Sequence, residues 1–249
     1  MNANPSIKTV KSAIRTMMLF SVFAEAKRPL TLGELSRKMD APKSSCHELV
    51  QTLAQMGYLL LLDGGKSYYP SRRLWEMAEQ IYQFNPIKEK IHEQLRALRD
   101  QTGETVFIGR LQGLKVVYVE VFDGTHTIRY TANSGDLKSI HASALGKALL
   151  GELPENERNK LITQMKLNRF NEHTITKKFE LKENILACKE NGLYVTKGEH
   201  QADVMGLAIP VTVQNHLLAV GLAGPIPRIE HNLRRYGQAL SELVSVISR

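Results

Sequence analysis

Residues of three chemically reactive types lie within seven positions of one another in the stretch "SIHASALGKALLGEL". His141 and Ser143 form a pair that acyl transfer could use, and Gly146-Lys147 is a pair found at phosphate sites. A phosphate-binding loop, however, needs two glycines that flank four residues before Lys-Ser/Thr, and here Ala148 follows the lysine. A nucleophile elbow needs a glycine two positions to either side of the serine, which Ser143 lacks. We therefore predict a helix packed through its small and apolar residues, with His141 or Ser143 capping its start.

The positive charge of the chain is concentrated in its first third. The 249 residues carry 33 Lys and Arg against 25 Asp and Glu, a formal net charge of +8. Residues 1–75 hold 11 basic and 5 acidic residues, whereas residues 76–249 hold 22 and 20. A basic segment beside a nearly neutral one is typical of a nucleic-acid-binding module attached to a second domain, although a solvated lysine-rich surface has the same composition.

Composition excludes several classes of protein. A hydrophobic content of 43% predicts globular domains with packed cores. Cys46 and Cys188 lie 142 positions apart, which fits neither a disulfide framework nor a zinc site and favours a reducing compartment. The polar, basic N-terminus lacks the apolar segment of a signal peptide, and every apolar run is too short to cross a bilayer. We expect a cytoplasmic protein that binds no membrane, metal or cofactor.

The segment 1–71 predicts a winged helix-turn-helix domain. Apolar residues at helical spacing mark one helix before Pro29, a second from Thr31 and a third within "APKSSCHELVQTLAQMGYL". Thr31 and Glu34 have the spacing of a capping box at the start of the second helix. The sequence "DGGK" between two β-forming runs then indicates a hairpin with Lys66 at its tip.

The third helix of such a domain can enter a major groove, which is wide enough for an α-helix. Its polar residues carry donors and acceptors for base edges, and nearby lysine and arginine side chains suit phosphates. The DNA-contact candidates are Ser44, Ser45, His47, Glu48, Gln51 and Thr52 on the third helix, with Lys8, Lys11, Arg15, Lys43 and Lys66 facing the backbone. The alternative is a winged helix used for protein contacts, whose exposed helix is an ordinary solvated face.

Residues 72–85 predict an apolar linker helix that breaks at Asn85-Pro86, and residues 86–249 predict a second domain. The apolar face of this linker helix must pack either on its own C-terminal domain or on the same helix of a second subunit. In residues 86–249 we expect an α+β fold with an antiparallel sheet covered by helices. This prediction includes a strand and turn over 126–136 and a hairpin turn at Gln214-Asn215-His216. Such a sheet can leave room for a small-molecule pocket.

The segments "IHASALGKALL", "GLAIPV" and "AVGLAGP" followed by Arg228 resemble, in order and spacing, the IclR (isocitrate lyase regulator) family of bacterial transcription factors. The resemblance runs from about residue 7 to the end of the chain. It implies a winged helix-turn-helix, a linker helix and a GAF-like α+β effector domain. It also implies dimers, often paired into tetramers, that control a catabolic operon in response to a small organic acid or aromatic compound. We expect a pseudo-palindromic operator in double-stranded DNA. Because repression is common in the family, we expect repression rather than activation.

The family's pocket is lined from the segments aligned with "TKGEHQADVMGLAIPV" and "LLAVGLAGP". Glycine replaces the frequent cysteine of the first segment, and glycine and alanine replace two serines of the second, so we expect a roomier and less polar pocket. A lysine replaces an acid and favours an anionic ligand if it faces inward. The effector-contact candidates are Arg129, His141, Ser143, Lys197, Glu199, Met205, Gly206, Gly221 and Ala223.

An enzyme, such as a small hydrolase with an accessory winged helix, is the rival hypothesis to a ligand-responsive regulator. The His141–Ser143 pair shows neither an orienting acid nor an oxyanion hole in the sequence around it. The sequence therefore favours the regulator, for which no catalytic residue is expected.

Overall fold

A computed structural model of the chain describes residues 10–83 and 89–248. The chain divides into two compact units, residues 1–85 and 86–249. The predicted helix break at Asn85-Pro86 and the DNA-contact candidate Lys8 lie outside the described residues. Within the described ranges, every helix falls short of the length and apolar character that a membrane crossing requires.

Over residues 10–83, the first unit contains four α-helices and a small antiparallel sheet. Its elements are α1 (Lys11–Ala26), β1 (Leu30–Thr31), α2 (Leu32–Lys38), α3 (Lys43–Gln55), β2 (Leu59–Leu62), β3 (Ser67–Pro70) and α4 (Arg72–Gln83). A 3-10 turn, Asp63–Gly65, joins β2 to β3, and the sheet order is β1-β3-β2. Three helices followed by a hairpin are the predicted winged helix-turn-helix, to which the structure adds the short strand β1.

Local sequence signals set the geometry of α2 and α3. The Glu34 N–H donates to the Thr31 hydroxyl at 3.3 Å and the Thr31 N–H donates to the Glu34 carboxylate at 2.8 Å, so the predicted capping box is confirmed. In α3 the side chains of Cys46, Val50 and Leu53 are buried in the core of the unit. Because these residues share one face of a 3.6-residue period, the opposite face of α3 is left for solvent or a partner.

The second unit is a six-stranded antiparallel sheet with helices on both faces. Its elements are α5 (Glu89–Thr102), β4 (Thr105–Gln112), β5 (Lys115–Phe122), β6 (Leu137–Ser139), α6 (Ala144–Glu152), α7 (Glu155–Gln164), α8 (Lys178–Glu190), β7 (Tyr194–Lys197), β8 (Val204–Val213), β9 (His216–Pro225), α9 (Ile226–His231) and α10 (Leu233–Ile247). The strand order is β6-β5-β4-β9-β8-β7. This arrangement is the predicted α+β fold.

Alternation along the strands divides the core into two layers. In β4, Phe107 belongs to the layer under α6, α7 and α8, whereas Val106 and Ile108 belong to the layer under α5 and α10. The predicted hairpin turn joins β8 to β9, where Gln214 and Asn215 both have positive φ, 48° and 64°, and Val213 pairs with His216.

The strand predicted over 126–136 is absent. The described backbone forms no strand between Phe122 and Leu137, and β6 begins at Leu137. Two side chains hold the middle of this segment, because the Thr105 hydroxyl donates to the Tyr130 carbonyl and the Arg228 guanidinium donates to the Ile128 carbonyl. Its end is attached to β5 by two backbone hydrogen bonds, from the Gly135 N–H to the Tyr118 carbonyl at 2.7 Å and from the Tyr118 N–H to the Asp136 carbonyl at 3.0 Å. These contacts arise from residues remote in sequence, so local β-propensity could not reveal them.

Candidate DNA-reading surface and effector pocket

Helix α3 presents a polar face opposite its buried stripe. This face carries seven of the predicted DNA-contact residues, of which Lys43, Ser44, His47, Glu48 and Thr52 are exposed and Ser45 and Gln51 are half-buried. The Thr52 hydroxyl donates to the Glu48 carbonyl at 2.8 Å, one turn earlier in the same helix. The remaining polar groups at the start of α3 are available to an external partner.

Three further predicted contacts lie in the same unit. Lys66 is exposed directly after the turn, where Gly64 and Gly65 have φ of 66° and 87°. Arg15 of α1 is half-buried, and burial raises the pKa of the Cys46 thiol while the positive charge of Arg15 opposes the rise. Arg15 therefore lies near the first turns of α3, and Lys11 is exposed one helical turn earlier.

Two basic residues at the end of α2 were missing from the predicted set. Arg37 and Lys38 occupy the last turn of α2 and are exposed. They precede α3 by only a short turn, so they add positive charge beside its N-terminus. The sequence signal for them is the pair of adjacent basic residues at the end of α2, directly before α3.

The second unit contains a cavity on the sheet face that α6 covers. It encloses about 510 Å³ of empty space, counting the part open to solvent. Three aromatic rings, several polar side chains and a set of small residues line it: Phe107, Tyr118, Tyr130, Lys138, Ser139, Ala142, Ser143, Ala144, Leu145, Thr196, Glu199, His200, Gln201, Val204, Gly206 and Ala223. A mixed aromatic and polar lining of this kind is typical of sites that bind small organic molecules.

Helix α6 forms one wall of the cavity and begins as predicted. The Ser143 hydroxyl caps the helix by accepting the Gly146 N–H at 3.1 Å. A Cβ atom at Gly146 would lie 2.6 Å from Cα of Ile140, so glycine permits this close approach of two backbone segments. The glycine of the Gly-Lys pair therefore serves packing and has no phosphate-binding geometry.

The lysine of that pair forms a buried ion pair. The Lys147 side chain is completely buried, and its Nζ donates to Oε1 of Glu199 at 2.5 Å and to Oδ1 of Asn184 at 2.7 Å. Burial raises the pKa of Glu199, and the Lys147 ammonium opposes this rise. Nothing in the sequence shows that Lys147 pairs with a residue of the cavity lining, because its partner Glu199 lies 52 positions away.

Four of the predicted effector contacts line the cavity, namely Ser143, Glu199, Gly206 and Ala223. Strand alternation explains part of this result. Thr196 faces the cavity, so its neighbour Lys197 is exposed on the other side and pairs with Glu230. Lys197 therefore faces away from the cavity and does not supply the inward-facing base that the sequence suggested.

The other candidates lie outside the cavity lining for identifiable reasons. Met205 alternates with Gly206 and belongs to the opposite core layer. A Cβ atom at Gly221 would lie 2.5 Å from Cδ1 of Leu145, so this glycine accommodates α6 and leaves no space for a ligand. Arg129 is exposed, 3.4 Å from the His126 carbonyl.

His141 is buried beside the cavity and engaged on both ring nitrogens. Nδ1 lies 2.9 Å from the Ser139 hydroxyl and Nε2 lies 3.0 Å from the Asn168 carbonyl. Burial lowers the pKa of His141, with Lys147 and Lys115 adding repulsion. The ring also stacks on Phe170 at 5.8 Å. This environment supports a neutral, structural histidine that donates from Nε2.

The cavity also contains charged and polar side chains that were absent from the predicted set. The lining includes Lys138, whose ammonium lies 5.4 Å from the Tyr118 ring and 5.9 Å from the Tyr130 ring, together with His200. Tyr118 was missed because β5 carries apolar residues on both of its faces, so the sequence pattern does not show which face lines a cavity. In the described part of the chain, no three His, Cys, Asp or Glu side chains come together as a metal site.

Comparison with known proteins places both units in one family. Residues 12–60 match the family described as the IclR helix-turn-helix domain, and residues 80–249 match the family described as the bacterial transcriptional regulator IclR C-terminal domain. The transcriptional repressor IclR of Escherichia coli is 26% identical over 229 residues, covering 90% of this chain and 84% of the relative.

Solved structures share the fold. The Thermotoga maritima IclR structure has a TM-score of 0.79 at 23% identity and covers 96% of this chain and 97% of its own. An IclR homolog from Microbacterium hydrocarbonoxydans, complexed with 4-hydroxybenzoate, has a TM-score of 0.68 at 18% identity and covers 95% of this chain and 100% of its own. With a matched helix-turn-helix, a matched C-terminal domain and the same fold, the chain belongs to the IclR family of bacterial transcriptional regulators.

Proposed function

We propose that this regulator represses a catabolic operon by binding a pseudo-palindromic operator as a homodimer or tetramer in the cytoplasm, and that a small organic acid or aromatic effector controls it. The observation that carries the proposal is the polar face of α3, backed by a buried stripe and flanked by basic side chains. The E. coli relative is a transcriptional repressor, which supports the sign of regulation, and the 4-hydroxybenzoate complex of another relative supports the class of effector.

In this proposal residues 1–71 bind DNA, residues 72–85 link the two domains and residues 86–249 bind the effector. The start of α3 reads base edges through Ser44, Ser45, His47, Glu48, Gln51 and Thr52, with Lys8, Lys11, Arg15, Lys43 and Lys66 on phosphates. Major-groove reading by the N-terminal residues of a recognition helix is the usual geometry of this motif.

Exposed apolar side chains on α1 and α4 support self-association. Ile14 and Met17 of α1 are 51% and 69% exposed, and Trp75 and Ile81 of α4 are 53% and 67% exposed. Apolar helix faces of this kind are typically covered by a partner, and an isologous contact would place two α3 helices on two half-sites.

The protein must have two conformational states that differ in their affinity for DNA. An effector controls the regulator only if it binds one of these states more tightly than the other. The cavity beside α6, with its aromatic lining and charged side chains, is the proposed effector site. Ser143, Glu199, Gly206 and Ala223 are the contacts that we carry forward from the sequence.

The test is a gel shift of the full chain with DNA from upstream of its own gene, against scrambled DNA of equal length. We expect preferential binding at about 100 mM salt, with an affinity that falls steeply as salt rises because several phosphates are neutralised. Footprinting should protect two half-sites related by a two-fold axis. Equal affinity for both DNAs would exclude sequence-specific regulation by this chain.

A further inference from the structure

The end of α3 and the start of α4 meet at the base of the hairpin. Strand β2 follows α3 in the chain and β3 precedes α4, and their antiparallel pairing sets Leu59 opposite Pro70. The Ser71 N–H donates to the Tyr58 carbonyl at 2.9 Å, and the Ser71 hydroxyl donates to the Gly57 carbonyl at 2.5 Å. Hairpin pairing therefore brings the C-terminus of α3 against the N-terminus of α4.

Arg73 of α4 reaches across this junction to the C-terminus of α3. Its Nη1 donates at 2.8 Å to the carbonyl of Met56, the residue that caps α3. The last carbonyls of a helix have no partner within the helix and carry partial negative charge, so a guanidinium is favourable there. The same guanidinium lies 5.1 Å from the centroid of the Tyr58 ring, within the range of a cation–π contact. Arg73 therefore binds both the end of α3 and the residue that precedes β2.

Gly57 makes room for this contact. Its φ of 77° lies in the left-handed region that favours glycine, and a Cβ atom there would lie 3.3 Å from Nη1 of Arg73. Met77 lies one turn after Arg73 on the same side of α4, and its sulfur accepts the Tyr58 hydroxyl at 3.4 Å. Ser71, Arg73 and Met77 thus attach α4 to the end of α3 at successive points.

The opposite side of α4 carries an exposed apolar side chain. Because an α-helix turns by about 100° per residue, Trp75 lies roughly 200° around the helix from Arg73. Trp75 is 53% exposed and belongs to the apolar surface proposed to mediate self-association. One helix therefore carries the proposed subunit contact on one side and holds the proposed DNA-reading helix on the other.

We infer that Arg73 is a positioning residue that fixes the angle between α3 and α4, and thereby sets the half-site spacing that two subunits accept in their operator. The inference rests on the proposed binding of a pseudo-palindromic operator by a dimer, and it names the residue that sets the spacing. In this role Arg73 acts through α3 and contacts no base.

Selection of one spacing requires a rigid connection between the subunit contact and α3. Two recognition helices engage both half-sites only if their separation matches the DNA, which repeats about every 10–10.5 base pairs. Inserting two base pairs moves one half-site by about 7 Å along the DNA axis and turns it by about 70°. A dimer with firmly held α3 helices cannot follow this change, whereas a dimer with loosely held α3 helices can.

The experiment compares the gel-shift affinities of the full chain for three DNA duplexes. One carries the operator that footprinting identifies, and the other two have two base pairs inserted or deleted at its centre. We expect the wild type to bind the altered duplexes at least about 10-fold more weakly than the operator. Arg73→Met, which keeps an unbranched side chain without the donor or the charge, should reduce this difference below about 3-fold, mainly through weaker binding to the operator.

Two further variants separate positioning from charge. Arg72→Met removes the same charge from the neighbouring position, and Arg72 pairs with Glu76 and Trp75, both in its own helix. Any loss that its charge causes should be equal on the three duplexes, so the spacing preference should stay at the wild-type value. Arg73→Lys keeps the charge and one donor for the Met56 carbonyl, and it should retain most of the preference.

Equal binding of the three duplexes by the wild type overturns the inference, and so does an Arg73→Met variant that keeps the wild-type difference. Equal losses on all three duplexes in Arg73→Met and Arg72→Met would show that Arg73 contributes only charge, which also overturns it. Thermal melts and sedimentation establish that each variant is folded and associates like the wild type, and the wild-type comparison needs no variant.

Failure of this inference is distinguishable from failure of the proposed function. Preferential binding to the upstream DNA that tolerates every spacing overturns only the role of Arg73. Absence of preferential binding to that DNA contradicts the proposed function, and the inference that rests on it.

Discussion

The guanidinium of Arg228 donates two hydrogen bonds to the carboxylate of Glu104, which lies 124 positions earlier in the chain. Glu104 is completely buried at the start of the second unit's sheet, and Arg228 lies in α9 after the last strand. The same guanidinium donates to the Ile128 carbonyl at 3.0 Å. One arginine thus joins the beginning of β4, the segment after β5 and helix α9.

Removing this arginine should destabilise the second unit strongly. Arg228→Met leaves the Glu104 carboxylate buried without a counter-charge, which costs about 3–5 kcal/mol. Urea unfolding followed by circular dichroism measures the change in the free energy of unfolding.

Arg129→Met is the matched control, because Arg129 is exposed and its nearest acid, Asp123, is 4.0 Å away. Its effect should stay within about 0.5 kcal/mol. Comparable losses in the two variants would show that the buried pair contributes no special stability.

Two substitutions on the DNA-reading surface should separate positioning from base reading. Lys66→Ala should weaken binding to operator and scrambled DNA alike and lower the salt slope by about one, because one phosphate contact is lost. Gln51→Ala should relax the preference at one base pair and leave non-specific affinity nearly unchanged. Gel shifts across a salt series and a set of single-site operator variants measure both effects.

Lys197→Ala in the second unit serves as the charge-matched control for Lys66→Ala, since it also removes one exposed lysine. It should leave the salt slope unchanged. If Lys66→Ala and Gln51→Ala both bound like the wild type, the proposed docking of α3 and the hairpin would be wrong.

Two glycine substitutions should shift stability in opposite directions. A Cβ atom at Gly221 would lie 2.5 Å from both the Leu207 carbonyl oxygen and Cδ1 of Leu145. Because a backbone atom cannot yield easily, Gly221→Ala should cost about 1–3 kcal/mol.

Gly33 lies in α2, where a Cβ atom would meet nothing within 4 Å. Gly33→Ala should therefore raise the stability of the first unit by about 0.5–1 kcal/mol through the lower entropy of the unfolded chain. Thermal unfolding of both variants tests the contrast, and a neutral Gly221→Ala would contradict the tight contact between α6 and the sheet.

The second unit should lose stability in mild acid through His141. Burial lowers the pKa of His141 below its ordinary value of 6.5, so near pH 6 the unfolded state binds more protons than the folded state. The stability contributed by this neutral histidine is present above pH 6.5 and is lost as the pH falls through its folded pKa.

Urea unfolding between pH 8 and pH 5 measures this slope in the wild type and in His141→Gln, where it should be shallower. His231→Gln, which changes an exposed histidine, should keep the wild-type slope. Identical slopes in wild type and His141→Gln would show that another group governs the acid response.

Much of the fold was accessible from local patterns. The spacing of Cys46, Val50 and Leu53 predicts the buried face of α3, and Thr31 with Glu34 predicts the start of α2, because both signals act within a few residues. Family resemblance located the cavity approximately, since four of nine effector candidates line it. Lys197 and Met205 lie outside it because each alternates with a strand neighbour, Thr196 or Gly206, that faces the cavity.

The sequence by itself determined the winged helix, the α+β class and the family, because periodicity, caps and turns are encoded between neighbouring residues. Only the tertiary structure decided that Lys147 pairs with Glu199, that Arg228 pairs with Glu104 and that Gly221 makes room for α6. These contacts join residues 52 or more positions apart or depend on how a helix packs on a sheet. Strand register and helix packing bring such residues together, and neither can be predicted from a short segment of the sequence.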